Sequence, residues 1–239
     1  MYFNHKSLGS QNGISIAFLG QDGAGKSTVT NQICEWLNWK IEARKFYLGS
    51  GDHYHSIFKS LKKLFRSNNS LSKSVWALLN IVDLAVLSGH NRKIVKNANK
   101  YAFKGGIALF DRYPQIQFHG INDGPKIRTN YVDKTKSIIL KKVINIFANI
   151  EERNINLVAM HNPDIIIKLL LSPEESIRRK PNEDIDNIRE KHDIIKSLTF
   201  PNSKVYEINA EMDYEEELLQ IKNIIWTEIV EKHNGSRGN

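Results

Sequence analysis

Gly20-Gln21-Asp22-Gly23-Ala24-Gly25-Lys26-Ser27-Thr28 follows directly on the apolar run Ile14-Ser15-Ile16-Ala17-Phe18-Leu19. The nonapeptide is a complete G-x-x-x-x-G-K-[ST] motif, and it stands where a buried-type strand gives way to a helix, the context the motif requires. Glycines at 20, 23 and 25 let the backbone fold tightly and turn several N–H donors toward one anion. Lys26 is expected on the β- and γ-phosphate oxygens and the Ser27 hydroxyl on a Mg²⁺ ion, while a helix over 27–37 adds the positive end of its dipole. Gly20, Asp22, Gly23, Ala24, Gly25, Lys26, Ser27 and Thr28 are thus the candidate binding residues for a nucleoside triphosphate, ATP or GTP.

Strand-like runs at 14–20, 44–48, 107–111, 165–171 and 205–208 alternate with helical patterns at 71–104, 134–150, 173–179, 184–197 and 214–232. Alternation of this kind predicts a parallel sheet, and together with the phosphate-loop motif the expected fold class is α/β, the three-layer P-loop NTPase fold with five parallel strands flanked by helices. The runs at 107 and 165 are almost wholly aliphatic, as central strands covered on both faces must be. The spacing predicts one domain over 14–233, with loose tails at 1–13 and 234–239. Turn-rich segments at 49–74 and 113–133 are the expected acceptor-side loops, because ligands of open α/β sheets bind beyond the carboxyl ends of the strands.

A chain of 239 residues buries a sizeable core without metals or disulfides, and its single cysteine, Cys34, precludes an intrachain disulfide. Cys34 falls on the apolar face of the first helix and is expected there as a small buried hydrophobe, in keeping with a reducing, cytoplasmic setting. No run reaches the roughly 18 apolar residues of a membrane span, and no apolar signal-peptide core stands at the N-terminus. The net charge of +8 would suit a polyanion, but its lysines and arginines are spaced as solvated helix faces. Neither a membrane nor a nucleic acid is therefore expected as partner. Histidines 53, 55, 90, 119 and 161 do not form a zinc-ligand spacing with the cysteine, and no guanine-reading N-K-x-D segment ends a later strand.

Ile107-Ala108-Leu109-Phe110-Asp111-Arg112-Tyr113 sets an acid and a base at the end of a central strand. Asp111 is expected to face the Mg²⁺ ion or its waters, and Arg112 a phosphate. With Pro163-Asp164 through Leu169, then Pro173-Glu174-Glu175 and Arg178-Arg179-Lys180, and with Ile208-Asn209-Ala210, these residues resemble the thymidylate kinase branch of the nucleoside monophosphate kinases. The resemblance spans most of 14–230. It implies transfer of the γ-phosphate of ATP to a nucleoside monophosphate, with dTMP as the family's acceptor. It also implies a lid over about 173–190 whose Arg178 or Arg179 stabilises the transferring group, a turn at Ala210 beside the adenine, and a homodimer formed through helices around 75–100. Lys26, Asp111, Arg112, Arg178 and Arg179 are the catalytic candidates; Asp22, Asp83, Arg92, Arg112 and Tyr113 are those for the acceptor.

The departures from the family all lie on the acceptor side. Leu48-Gly49-Ser50-Gly51-Asp52-His53 replaces R-E-P-G-G-T, Leu84 stands where an arginine is expected, and Pro114-Gln115-Ile116-Gln117-Phe118-His119 replaces S-x-A-Y-Q. Lost polar partners change acceptor choice by orders of magnitude. A different acceptor, such as a nucleoside, sugar or glycan hydroxyl, would call on Asp22, Asp83 or Asp111 as proton acceptor. A non-catalytic nucleotide- or nucleic-acid-binding protein is the remaining alternative.

Overall fold

The computed structural model describes residues 7–9, 13–49, 70–181 and 184–235. In chain order the elements are β1 (Ile14–Gly20), α1 (Lys26–Leu37), β2 (Ala43–Tyr47), α2 (Ser70–Phe103), β3 (Ile107–Asp111), a single π-helical turn (Arg128–Val132), α3 (Ile138–Ala159), β4 (Ile165–Leu170), α4 (Pro173–Arg179), α5 (Ile185–Ser197), β5 (Lys204–Asn209) and α6 (Tyr214–Gly235). The strands form one five-stranded sheet in the order β2-β3-β1-β4-β5. Every pairing is parallel, with Phe18 opposite Asp111 and Gly20 opposite Leu169.

The fold class expected from the sequence is the one observed, and the pleat explains how both faces are covered. Ile14, Ile16 and Phe18 of β1 and Ile165, Ile167 and Leu169 of β4 join a core completed by Val29, Ile33 and Leu37 of α1 and by Leu218, Ile221, Ile225 and Ile229 of α6. Successive residues of a strand point to opposite faces, so the alternate residues belong to the other layer. There Lys168 of β4, only 3% exposed, donates to the Lys196 carbonyl at the end of α5. Burial depresses its ammonium pKa, and its bond satisfies a carbonyl that the helix end leaves open.

Residue contacts divide the chain into two compact units. One comprises 1–47, 95–113 and 162–239 and holds the whole sheet; the other comprises 48–94 and 114–161. In the second unit Ile81 and Ala85 of α2 pack with Ile127, Val132, Ile144 and Ala148, and Glu151 accepts from the Lys126 and Ile127 amides. Burial raises the Glu151 carboxyl despite those two bonds.

Some local expectations change. The helix expected over 134–150 starts later, capped by Ser137, and runs on to Ala159, because Ile155 and Val158 continue its buried face. Cys34 is half-buried rather than buried, sharing its surroundings with the Asn38 amide. Part of the N-terminal tail expected to be loose is tied down, since Leu8 donates to the Gly105 carbonyl and Ser7 to that of Lys104. Most of the expected loop at 49–74 lies outside the described residues.

Candidate functional site

The phosphate loop joins β1 to α1 within the first unit, and its glycines sit where backbone geometry requires them. Gly23 (φ 91°) and Gly25 (φ 77°) adopt left-handed conformations, and Gly25 is the residue from which α1 starts. A Cβ on Gly20 would lie 2.7 Å from the Leu169 carbonyl oxygen, so the loop can approach β4 only without a side chain there. Ala24 is buried, whereas Ser27 and Thr28 are exposed on the first turn of α1. Lys26 is 7% exposed, and its Nζ donates to the Gln21 carbonyl at 2.7 Å. Gln21, an unconstrained position of the motif, is itself buried and donates through Nε2 to the Leu171 carbonyl, tying the loop to the end of β4.

Asp22 organises the cations around the loop. Its carboxylate meets Arg112 Nη2 at 3.2 Å and Lys191 Nζ at 3.2 Å, while its carbonyl accepts from Ser176 Oγ. Burial by itself would raise the Asp22 pKa, but Lys26, Arg112 and Lys191 outweigh it and hold the group at about 2. Arg112 reaches Asp22 from a left-handed backbone position (φ 73°) just beyond β3, a conformation that costs a non-glycine residue about 1–3 kcal/mol.

Asp111 closes β3 beside this group and is fully buried. Its Oδ2 lies 3.0 Å from Lys45 Nζ, and neither carboxylate oxygen accepts a hydrogen bond among the described residues. A carboxylate that accepts no hydrogen bond among the described residues suits a hard divalent cation or its waters. Among the described residues no three His, Cys, Asp or Glu side chains converge as a metal cage.

The two arginines of the expected lid divide. Arg178 is 78% exposed and forks onto Glu175 through Nε and Nη2, at 2.6 and 2.7 Å. Arg179 also meets Glu175, but it donates to the Gly23 carbonyl of the phosphate loop at 3.2 Å and to the Ala210 carbonyl at 3.0 Å. Those two arginines hold the Glu175 carboxyl down at about 2. Ala210 is buried, and its own amide donates to the Leu170 carbonyl. Arg179 thus links the loop expected to carry phosphate with the turn expected beside a base.

The remaining acceptor candidates are Tyr113, Asp83 and Arg92. Tyr113 is buried edge-on against Phe110, and burial raises its hydroxyl pKa beyond the ordinary tyrosine range. Asp83, buried, and Arg92, exposed, belong to α2 within the second unit. The structure adds Gln21, Lys45, Ser176 and Lys191, none of which the sequence singled out. For Lys191 the available signal was its place on α5 two residues after Arg189, which meets Glu174 at 3.8 Å.

No family model matches the chain. It is 27% identical over 223 residues to an uncharacterized ATP-binding protein, YghR, of Escherichia coli strain K12, covering 88% of this chain and 86% of the relative. A second uncharacterized ATP-binding protein of that organism, YghS, is 23% identical over 213 residues, with 82% and 85% covered. Among solved structures, deoxyadenosine kinase from M. mycoides with bound dATP is similar at 18% identity and a TM-score of 0.47, covering 89% of this chain and 98% of that one. The same enzyme with dCMP and a flexible dCDP bound gives 19%, 0.48, 90% and 100%. Superpositions this loose leave the chemistry to be read from the chain's own residues.

Proposed function

We propose that this chain is an ATP- and Mg²⁺-dependent phosphotransferase whose acceptor is a small molecule, a nucleoside monophosphate of the thymidylate kinase type by resemblance. The observation that carries the reading is the cluster around Asp22: a glycine nest, a buried Lys26 and two further cations converge on one loop, next to a fully buried Asp111. The relatives' description as ATP-binding supports the donor half.

Bound triphosphate would replace the Gln21 carbonyl as partner of Lys26, and the N-terminal amides of α1 would cradle the β-phosphate. Ser27 and Asp111 would hold a Mg²⁺ ion, whose chemistry would be to neutralise charge on the nucleotide's phosphates. Transfer through a loose transition state then needs positioned cations rather than a covalent intermediate. Arg112 and Lys191, both held by Asp22, and Arg179, held at the Gly23 carbonyl, fill that role; Arg178 is turned to Glu175. An anionic acceptor phosphate needs no strong base, which fits an Asp22 that titrates far below neutrality.

The rebuilt acceptor loops and the burial of Tyr113 favour, as second reading, the same chemistry on another acceptor. The deciding assay is ADP release from Mg-ATP with dTMP, other nucleoside monophosphates, nucleosides and simple sugars offered singly, with Lys26→Ala as control. Lysine-dependent stimulation by one acceptor names the substrate, whereas turnover undiminished in Lys26→Ala would refute the phosphate-loop mechanism. A reducing, cytoplasmic setting belongs to the same reading, and no helix among the described residues is long and apolar enough to cross a membrane. A homodimer is part of it too. The exposed apolar stripe Ile139, Val143, Ile146 and Ile150 of α3 is a better pairing face than α2 at 75–100, and sedimentation of Ile146→Glu against wild type tests it.

A further inference from the structure

Lys45 belongs to no motif and stands on the edge strand β2, yet its side chain ends at the most deeply buried acid of the site. Its Nζ lies 3.0 Å from Asp111 Oδ2 and donates at 2.9 Å to Asn31 Oδ1. Asn31 is one helical turn beyond Ser27, so the two side chains share one side of α1. The ammonium therefore stands between the buried acid and the helix side that carries the hydroxyl proposed as the other metal ligand. Asp111 has no exposed surface and accepts no hydrogen bond among the described residues. Of the described side chains, Lys45 is the one that forms an ion pair with it.

We propose that Lys45 is a positioning residue for the metal site, a built-in counter-ion. It occupies and aims Asp111 before the nucleotide's divalent cation arrives, and it competes with that cation afterwards. Asn31 is the second seat of the amine, the place to which it withdraws when a cation takes Asp111. Two cations beside one carboxylate repel each other, so the lysine weakens metal binding and eases metal exchange at the end of a turnover. The inference rests on the reading of Asp111 as a metal ligand, and the two can fail separately.

The test is Mn²⁺ binding to the protein–ADP complex, followed by the electron paramagnetic resonance signal of the free ion, with no turnover needed. Lys45→Met and Lys45→Gln are expected to bind Mn²⁺ about ten-fold more tightly than wild type, the scale on which groups behind metal ligands act. Lys45→Arg, which keeps the charge, should remain within about two-fold. Asn31→Ala, an exposed helix position where folding is not at stake, should weaken Mn²⁺ binding about three-fold by giving the amine wholly to Asp111. Unchanged or weaker binding in the charge-removing variants, or unchanged binding in Asn31→Ala, would overturn the counter-ion role. Wild-type Mn²⁺ affinity in Asp111→Asn would instead overturn the metal-ligand reading on which it rests.

Discussion

Replacing Asp22 with Asn removes the charge that holds Arg112 and Lys191 against the phosphate loop and leaves the shape of the side chain nearly unchanged. The carboxyl sits at about 2 in the folded protein against an ordinary 3.8, a difference of 1.8, and at 1.36 kcal/mol for each pH unit this corresponds to about 2.4 kcal/mol. The Asp22 side chain is 28% exposed and its two partners 32% and 20%, so solvent screening reduces the expected contribution to about 1–1.5 kcal/mol. Because the folded pKa is the lower one, the stabilisation is complete above the unfolded value and is lost as pH falls toward the folded one. Urea unfolding of wild type and Asp22→Asn, repeated from neutral pH downward, should show wild type more stable by that amount at neutrality. The gap should close between about pH 4 and pH 2. Other acids, such as Glu175 and Asp164, titrate in both proteins and cancel in the difference. A gap that stays constant or widens as pH falls would refute the assignment of Asp22 as the charged hub of the loop.

Three further substitutions separate scaffold from chemistry. Gly20→Ala would set a Cβ 2.7 Å from the Leu169 carbonyl oxygen, so we expect about 1–3 kcal/mol of destabilisation in denaturant titrations, with loss of ATP binding; a wild-type melt would contradict the close packing of the loop on β4. Lys168→Met keeps the aliphatic stem but abandons the Lys196 carbonyl, and thermal unfolding should reveal a loss of about 1–2 kcal/mol. A neutral result would mean that the carbonyl finds water. Arg179→Ala should lower kcat by about ten-fold or more, and Arg178→Ala much less, because only Arg179 touches the phosphate loop. Steady-state kinetics showing the reverse order would move the catalytic cation to Arg178 and require the lid to rearrange on closure.

The sequence alone determined the elements and the place of the phosphate-loop motif between β1 and α1. Aliphatic runs of strand length, amphipathic helices between them and a complete phosphate-loop motif after β1 are local signals, and a parallel α/β sheet is the arrangement that satisfies them together. Helix ends were less legible. The buried face of α3 runs on past 150, and there only packing with the rest of its unit distinguishes core from surface. The partners of the charged residues were not legible at all. Asp22 finds Lys191 169 positions away and Asp111 finds Lys45 on the neighbouring strand, pairs that exist only because the sheet order places β2 and β3 side by side and brings α5 over the loop. The sequence offered three successive cations, Arg178, Arg179 and Lys180, with nothing to rank them. Helix α4 ranks the two arginines by geometry: residues 178 and 179 differ by about 100° of rotation, which leaves Arg178 exposed on Glu175 and lets Arg179, also on Glu175, reach the loop carbonyl at Gly23. Periodicity and propensity act within a few residues of the chain and are readable from it, whereas electrostatic pairing acts through space and is decided only when the fold has closed.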